Sequence, residues 1–358
     1  MTEPAPERND SGRQRRLLVI RFSSLGDLIL LTSIFPQLRQ AGWQGKIDVL
    51  TSVEFADVFA GNPEIDRILT FDRKNEKSGD LMRRLWKEYY DVVIDAHSSL
   101  RSRIITKIMR FSGRVGAVHR VSKKYCFRYS LVHFKKIKFR PFGSQRDLYA
   151  QMVADIFNTT PSRLPVSTHL YPAPEHQQEA AALLGTIKDP GKPLICIAPY
   201  ARHQLKEWGT DKFMELAGRL SPDFNIVISA QYAKETQPFT QKYPEAIDAS
   251  GLSILASAAV YQKCGLVVCN DSASTHFAEA VKTPALVIFG PTTPAFGFSP
   301  YLKNSSVLRL ENLPCCPCTT TGKGQCRLSG KDHRKCMESI SVDEVETNIR
   351  TFFAPQPV

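Results

Sequence analysis

No stretch of this sequence approaches the roughly 18 apolar residues of a membrane-spanning helix, so a transmembrane segment is not expected. The opening residues, MTEPAPERNDSGRQRR, are polar and lack the apolar core of a secretory signal. Residues 1–15 are therefore expected to be a disordered tail, and the protein to be cytoplasmic. The first glycine-bearing strand-to-helix junction, Ser23-Ser24-Leu25-Gly26-Asp27, lacks G-x-G-x-x-G spacing, which disfavours a nicotinamide dinucleotide site. No D-x-D pair is present to hold Mg²⁺ on a diphosphate, so no catalytic cofactor is expected. Acid is missing in one place above all: between Arg101 and Arg140 there are 13 Lys or Arg and no Asp or Glu.

That gap accounts for the charge of the whole chain. The formal net charge is +12, and 12 − 13 leaves the remainder near −1. One local basic region is thus superposed on a balanced surface, and such a field attracts a polyanion. Nucleic acid, an anionic membrane face and an anionic saccharide all qualify, and a merely solvated lysine-rich face is the structural alternative. The region has few of the aromatics expected for stacking single-stranded bases.

At 358 residues the chain is long enough for two cores, and 42% hydrophobic with 23% charged residues is ordinary for a globular protein. Short apolar runs alternate with helical stretches. RLLVIR (16–21), KIDVL (46–50), RILTF (67–71) and YDVVIDA (90–96) are expected strands, and a helix is expected from about Asp27 to Gln40. Residues 158–176 carry four prolines and read as a linker. A second series follows: PLICIAP (193–199), FNIVISA (224–230), CGLVVCN (264–270) and PALVIFG (284–290), with helices from about Asp211, Leu252 and Asp271. This predicts two doubly wound α/β domains facing across a cleft, an N-terminal one over 16–160 and a C-terminal one over 177–340. A last helix, 342–353, can pack on either.

Ligands in such sheets bind beyond the carboxyl ends of the strands, which directs attention to four segments. In the first, Asp27 is either a helix N-cap or a chemical group. In the second, Lys206-Glu207-Trp208, the lysine can reach a phosphate while Trp208 either walls a pocket or plugs the core. In the third, Asn270-Asp271-Ser272-Ala273-Ser274-Thr275-His276, small hydroxyl side chains at a helix start suit a diphosphate. The turn Gly290-Pro291-Thr292-Thr293-Pro294 is expected to border the same site. The fourth is the cysteine cluster. Cys315, Cys318, Cys326 and Cys336 are candidate ligands for a structural zinc, with plain reduced thiols as the other reading.

Over about residues 16–353 the chain resembles the ADP-heptose:lipopolysaccharide heptosyltransferases of glycosyltransferase family 9, which have the GT-B fold. The carriers are LLVIRFSSLGDLILLTSIFPQLR, the K-x-W of Lys206 and Trp208, and CNDSASTHFAEAVKTPALVIFGPTTP. A Cys-Pro-Cys segment ending in Cys336-Met337 is similar to the heptosyltransferase II branch. The resemblance implies inverting transfer from ADP-heptose to the inner core of lipopolysaccharide, without a metal. Asp27 would be the general base. Lys206, Asp271, Ser272, Ala273, Ser274 and His276 would bind the donor, Ala273 standing where the family often has glycine. Ser24, Gly26, Arg101, Arg103, Arg120, Lys123 and Lys124 would receive the anionic acceptor, and the basic region would hold the protein peripherally at the inner membrane face. The competing readings are another GT-B transferase or a nucleotide-sugar enzyme such as an epimerase, and a nucleic-acid-binding protein, which the paired strand-loop-helix sites disfavour.

Overall fold

The computed structural model describes residues 13–135 and 143–354, so most of the expected N-terminal tail, and Lys136, Lys138 and Arg140 of the basic region, lie outside it. The described residues form two compact units, one within Met1–Lys123 and Gln145–Tyr171, the other within Lys124–Ser144 and Pro172–Val358.

In the first unit β1 (Arg16–Ile20) leads into α1 (Leu25–Leu31) and α2 (Ile34–Gln40). Then come β2 (Lys46–Ser52), β3 (Arg67–Phe71), α3 (Ser78–Leu85), β4 (Tyr90–Asp95), α4 (Leu100–Phe111) and β5 (Val115–Arg120). The chain passes to the second unit for α5 (Tyr125–Phe134) and returns for α6 (Gln145–Phe157). The five strands are parallel in the order β3-β2-β1-β4-β5. Central β1 is an unbroken apolar run because both of its faces are covered: Leu17, Leu18, Val19 and Ile20 are fully buried.

The single helix expected from Asp27 to Gln40 is two helices. Pro36 has no N–H to give to the Thr32 carbonyl, and its ring crowds that group, so the helix breaks one turn earlier. The Thr32 and Ser33 hydroxyls donate back to Ile29 O and Leu30 O at 2.7 and 2.9 Å.

The second unit adds α7 (Pro174–Leu184), β6 (Leu194–Ala198), α8 (Thr210–Leu220), β7 (Asn225–Ile228), α9 (Ala233–Lys242) and β8 (Ile247–Asp248). α10 (Ile254–Lys263), β9 (Leu266–Asn270), α11 (Ala273–Ala280), β10 (Ala285–Phe289), β11 (Ser306–Arg309), α12 (Lys335–Glu338) and α13 (Val342–Phe353) complete it. Its parallel sheet runs β11-β10-β9-β6-β7-β8. The last helix belongs here: Val345 and Ile349 are fully buried in the core formed with Trp208, Phe213, Leu216 and Leu220. α5 is held in this unit by Phe127, Leu131 and Val132 against Phe296, and by Arg128 donating to Phe296 O at 3.1 Å. The fold class is the expected one, two Rossmann-like α/β domains.

Candidate active site

Beyond the end of β1, Asp27 is not the N-cap. The helix starts two residues earlier than expected, with Ser24 as cap and Asp27 as the third helical residue. Its carboxylate folds back on that cap: Ser24 Oγ donates to Asp27 Oδ2 at 2.6 Å and Ser24 N–H at 3.4 Å. Arg21, the residue after β1, places Nη2 3.0 Å from the same oxygen. Arg21 is itself buried, and its other arm donates to Ala96 O at 2.5 Å and to the Tyr149 hydroxyl at 3.5 Å. Burial pulls the guanidinium pKa down, but the adjacent Asp27 and Tyr149 oxygens outweigh that and leave it raised. Burial likewise pushes the Tyr149 phenol up to about 12.

His97, beyond β4, completes this group. Its Nδ1 accepts the Phe22 N–H at 3.2 Å. Burial, then the charges of Arg21, Lys123 and Arg73, hold its pKa down to about 4, so the ring is neutral near pH 7. Arg21, His97 and Tyr149 were not singled out from the sequence. The available signal was position alone, since Arg21 and His97 each follow a buried strand.

In the second unit Lys206 and Asp271 meet. Lys206 Nζ lies 2.6 Å from Asp271 Oδ2 and donates to Asp271 O at 3.1 Å, while the Thr292 hydroxyl donates to Oδ2 at 2.6 Å. The expected border by the Gly290–Pro294 turn is thereby found. An ammonium has three donors, and Asp271 takes two of Lys206's. Asn270 fixes the loop that carries the lysine: its side chain accepts Trp208 N–H at 2.9 Å and donates to Pro199 O at 2.7 Å. Trp208 is the core plug, fully buried, with its indole N–H on Ile340 O at 2.9 Å.

Helix α11 begins at Ala273, two residues later than expected, because Ser272 caps it by accepting Ser274 N–H at 3.3 Å. Ser272, Ala273 and Ser274 thus form the first turn beside Lys206 and Asp271, with the positive end of the helix dipole there. His276 lies deeper, 5% exposed, its ring 6.3 Å from that of Phe298.

The cysteine-rich segment wraps this site. Cys318 N–H donates to Pro291 O at 2.9 Å, and Cys316 Sγ to Gly290 O at 3.4 Å. Gly322, at φ +84°, rests on the Lys206 stem so closely that a Cβ there would meet Lys206 Cγ at 2.6 Å. Cys315, Cys318, Cys326 and Cys336 line one small cavity, together with Leu205 and Pro291. Among the described residues, no group of three or more His, Cys, Asp or Glu is gathered closely enough to hold a metal ion.

The candidate acceptor residues are spread out. Ser24 and Gly26 flank Asp27 in sequence. Arg101 lies over the Phe71 ring at 5.2 Å. Arg103 and Arg120 line a cleft of about 820 Å³ with Lys107 and Arg110. Arg120 is engaged by Asp95 at 3.4 Å and by the Thr106 hydroxyl at 2.7 Å. Lys123 and Lys124 fall in different units.

A family model described as glycosyltransferase family 9 (heptosyltransferase) matches residues 79–327. Lipopolysaccharide heptosyltransferase 3 of Escherichia coli K12 is 25% identical over 301 residues, covering 78% of this chain and 83% of that protein. Lipooligosaccharide heptosyltransferase 2 of Haemophilus influenzae is 26% identical over 317 residues, covering 82% and 88%. Among solved structures, the E. coli ADP-heptose lps heptosyltransferase II superposes with a TM-score of 0.69 at 19% identity, covering 94% of this chain and 98% of that one.

Proposed function

The chain belongs to glycosyltransferase family 9, and on that premise we propose that it transfers heptose from ADP-heptose to the inner core of lipopolysaccharide, with inversion at the anomeric carbon. The observation that carries the mechanism is the setting of Asp27, a part-exposed carboxylate held by the buried Arg21 at the carboxyl end of a central strand. A fixed cation favours the ionised, proton-accepting form of a neighbouring carboxylate. Asp27 takes the acceptor hydroxyl proton as that oxygen bonds to the anomeric carbon. The bond from this carbon to the diphosphate oxygen breaks, and ADP leaves with the electron pair. His97, neutral near pH 7, adds no competing positive charge beside Asp27.

The donor diphosphate is assigned to Lys206 and the start of α11. Lys206 keeps one N–H beyond the two given to Asp271, and the first turn of α11 adds the helix dipole. Charge growing on the leaving diphosphate is stabilised there by groups already in place. Asp271 and Thr292 position Lys206. These fixed groups take the part a bound cation plays elsewhere, and the sequence has no D-x-D pair, so transfer is proposed to need no metal.

The acceptor is assigned to the basic residues Arg101, Arg103, Arg120, Lys123 and Lys124, with Ser24 and Gly26 next to the base in sequence. Because a lipopolysaccharide acceptor is anchored in a bilayer, we place the protein in the cytoplasm, in peripheral contact with the inner face of the inner membrane.

The test is ADP release from ADP-heptose by the full chain, without added metal, with and without purified inner-core acceptor. Acceptor-dependent release of ADP is expected. ADP binding without release would overturn the donor or acceptor assignment, and failure to bind ADP would overturn the nucleotide assignment.

A further inference from the structure

Helix α4 has two apolar faces, and only one belongs to the core. Ser102, Ile105, Thr106 and Met109 turn inward and are buried. At about 100° per residue, Leu100, Ile104, Ile108 and Phe111 fall on the opposite side, where they are 77, 49, 37 and 96% exposed. A surface helix of a globular protein ordinarily sets polar side chains there. The same helical spacing puts Arg103, Lys107 and Arg110 along one border of the stripe and Arg101 along the other, and α4 contains no Asp or Glu. Among the described residues Arg103, Lys107 and Arg110 make no ion pair, whereas Arg120 nearby is engaged by Asp95.

We propose that α4 is a docking element for an anionic lipid bilayer. Leu100, Ile104, Ile108 and Phe111 enter the boundary between headgroups and acyl chains, and the flanking cations meet the lipid phosphates. The combination selects this partner. A soluble saccharide or a nucleic acid matches the cations but gives little return for a row of exposed apolar side chains, three of the four aliphatic. A bilayer interface rewards both, with apolar burial and charge attraction acting on one helix. The inference adds the contacting element to the membrane placement proposed above, and vesicle binding needs no sugar substrate, so it can fail while the transferase reading stands.

The experiment is flotation of the full chain with phosphatidylcholine vesicles, and with vesicles that also contain phosphatidylglycerol. Binding to the anionic vesicles, and little to the neutral ones, is expected. Ile104→Ser with Phe111→Ser should lower that binding about tenfold or more and make the remainder strongly salt-sensitive. Lys107→Ala with Arg110→Ala should lower it about thirtyfold, from the contribution of each cation near an anionic surface. Leu100→Ser alone gives a milder loss in the same direction. All these side chains face solvent, so thermal unfolding should be unchanged and serves as the folding control. Equal flotation of the stripe variant and the parent would overturn the proposal, as would equal binding to neutral and anionic vesicles. A dimer that the stripe variant dissociates, with no vesicle binding by either form, would assign the face to a second copy instead.

Discussion

Lys206 and Asp271, 65 residues apart, form an ion pair of 2.6 Å beyond the neighbouring strands β6 and β9, and the same ammonium also donates to the Asp271 carbonyl. The two side chains are only 17% and 10% exposed. The lysine is therefore held in place before any ligand arrives, which would spare a donor bound as proposed the entropy of ordering a flexible side chain.

Lys206→Ala should weaken ADP binding by roughly tenfold or more, the loss of a charge-assisted contact. It also leaves Asp271 with the Thr292 hydroxyl in place of a cation, at a stability cost of about 1–3 kcal/mol. Calorimetric titration with ADP and thermal unfolding read the two effects separately. Unchanged ADP affinity would remove Lys206 from the donor site.

Asp27→Asn keeps the shape of the side chain but not its basicity. Turnover should fall about 10²- to 10⁴-fold, with ADP affinity close to that of the parent. Arg21 loses its compensating charge, so a lower unfolding temperature is expected, and assays belong well below it. A variant that retains most of its activity would show that the proton goes elsewhere.

The His97 ring gives stability a pH dependence of known sign. Its pKa is about 4 in the folded protein and near 6.5 when unfolded, so between these values the unfolded state binds more protons. The contribution is present above about pH 6.5 and is lost as pH falls toward 4. His97→Gln retains an acceptor for the Phe22 N–H and should flatten this part of the stability curve. Parallel unfolding temperatures for parent and variant across pH 4–6.5 would refute the assignment.

Gly322→Val tests the overlap between the cysteine-rich segment and the proposed donor site around Lys206. The position has positive φ and its Cβ meets the Lys206 stem, so the loop or the lysine must shift. Lower ADP affinity is expected, with far-ultraviolet circular dichroism unchanged. Gly324→Val is the control, since it shares positive φ but has nothing within 4 Å of its Cβ.

Signals carried by neighbouring residues were legible. RILTF occupies the expected strand residue for residue, and 342–353 is a helix as expected, because apolar runs and 3.6-residue periodicity declare themselves over a few residues. The strand-to-helix junctions followed from the same alternation, and they hold Asp27, Lys206 and Asp271. Helix starts were harder. Asp27 and Asp271 both suit a cap by composition, yet Ser24 and Ser272 take that place, since a cap is chosen by the backbone geometry of the whole turn.

The sequence by itself determined two parallel α/β series and a basic stretch free of acid, both of which rest on local composition and order, while burial decided between the two readings of Trp208. Only the tertiary structure decided that Arg21 serves Asp27 and reaches Tyr149, 128 residues away. It also decided that Asn270 clasps the Lys206 loop, that Gly322 lies on the lysine, and that α4 turns four apolar side chains outward. The physical reason is that a side chain's partner and exposure depend on which surfaces the folded chain brings together, and contacts between residues far apart in sequence leave no periodic mark along it.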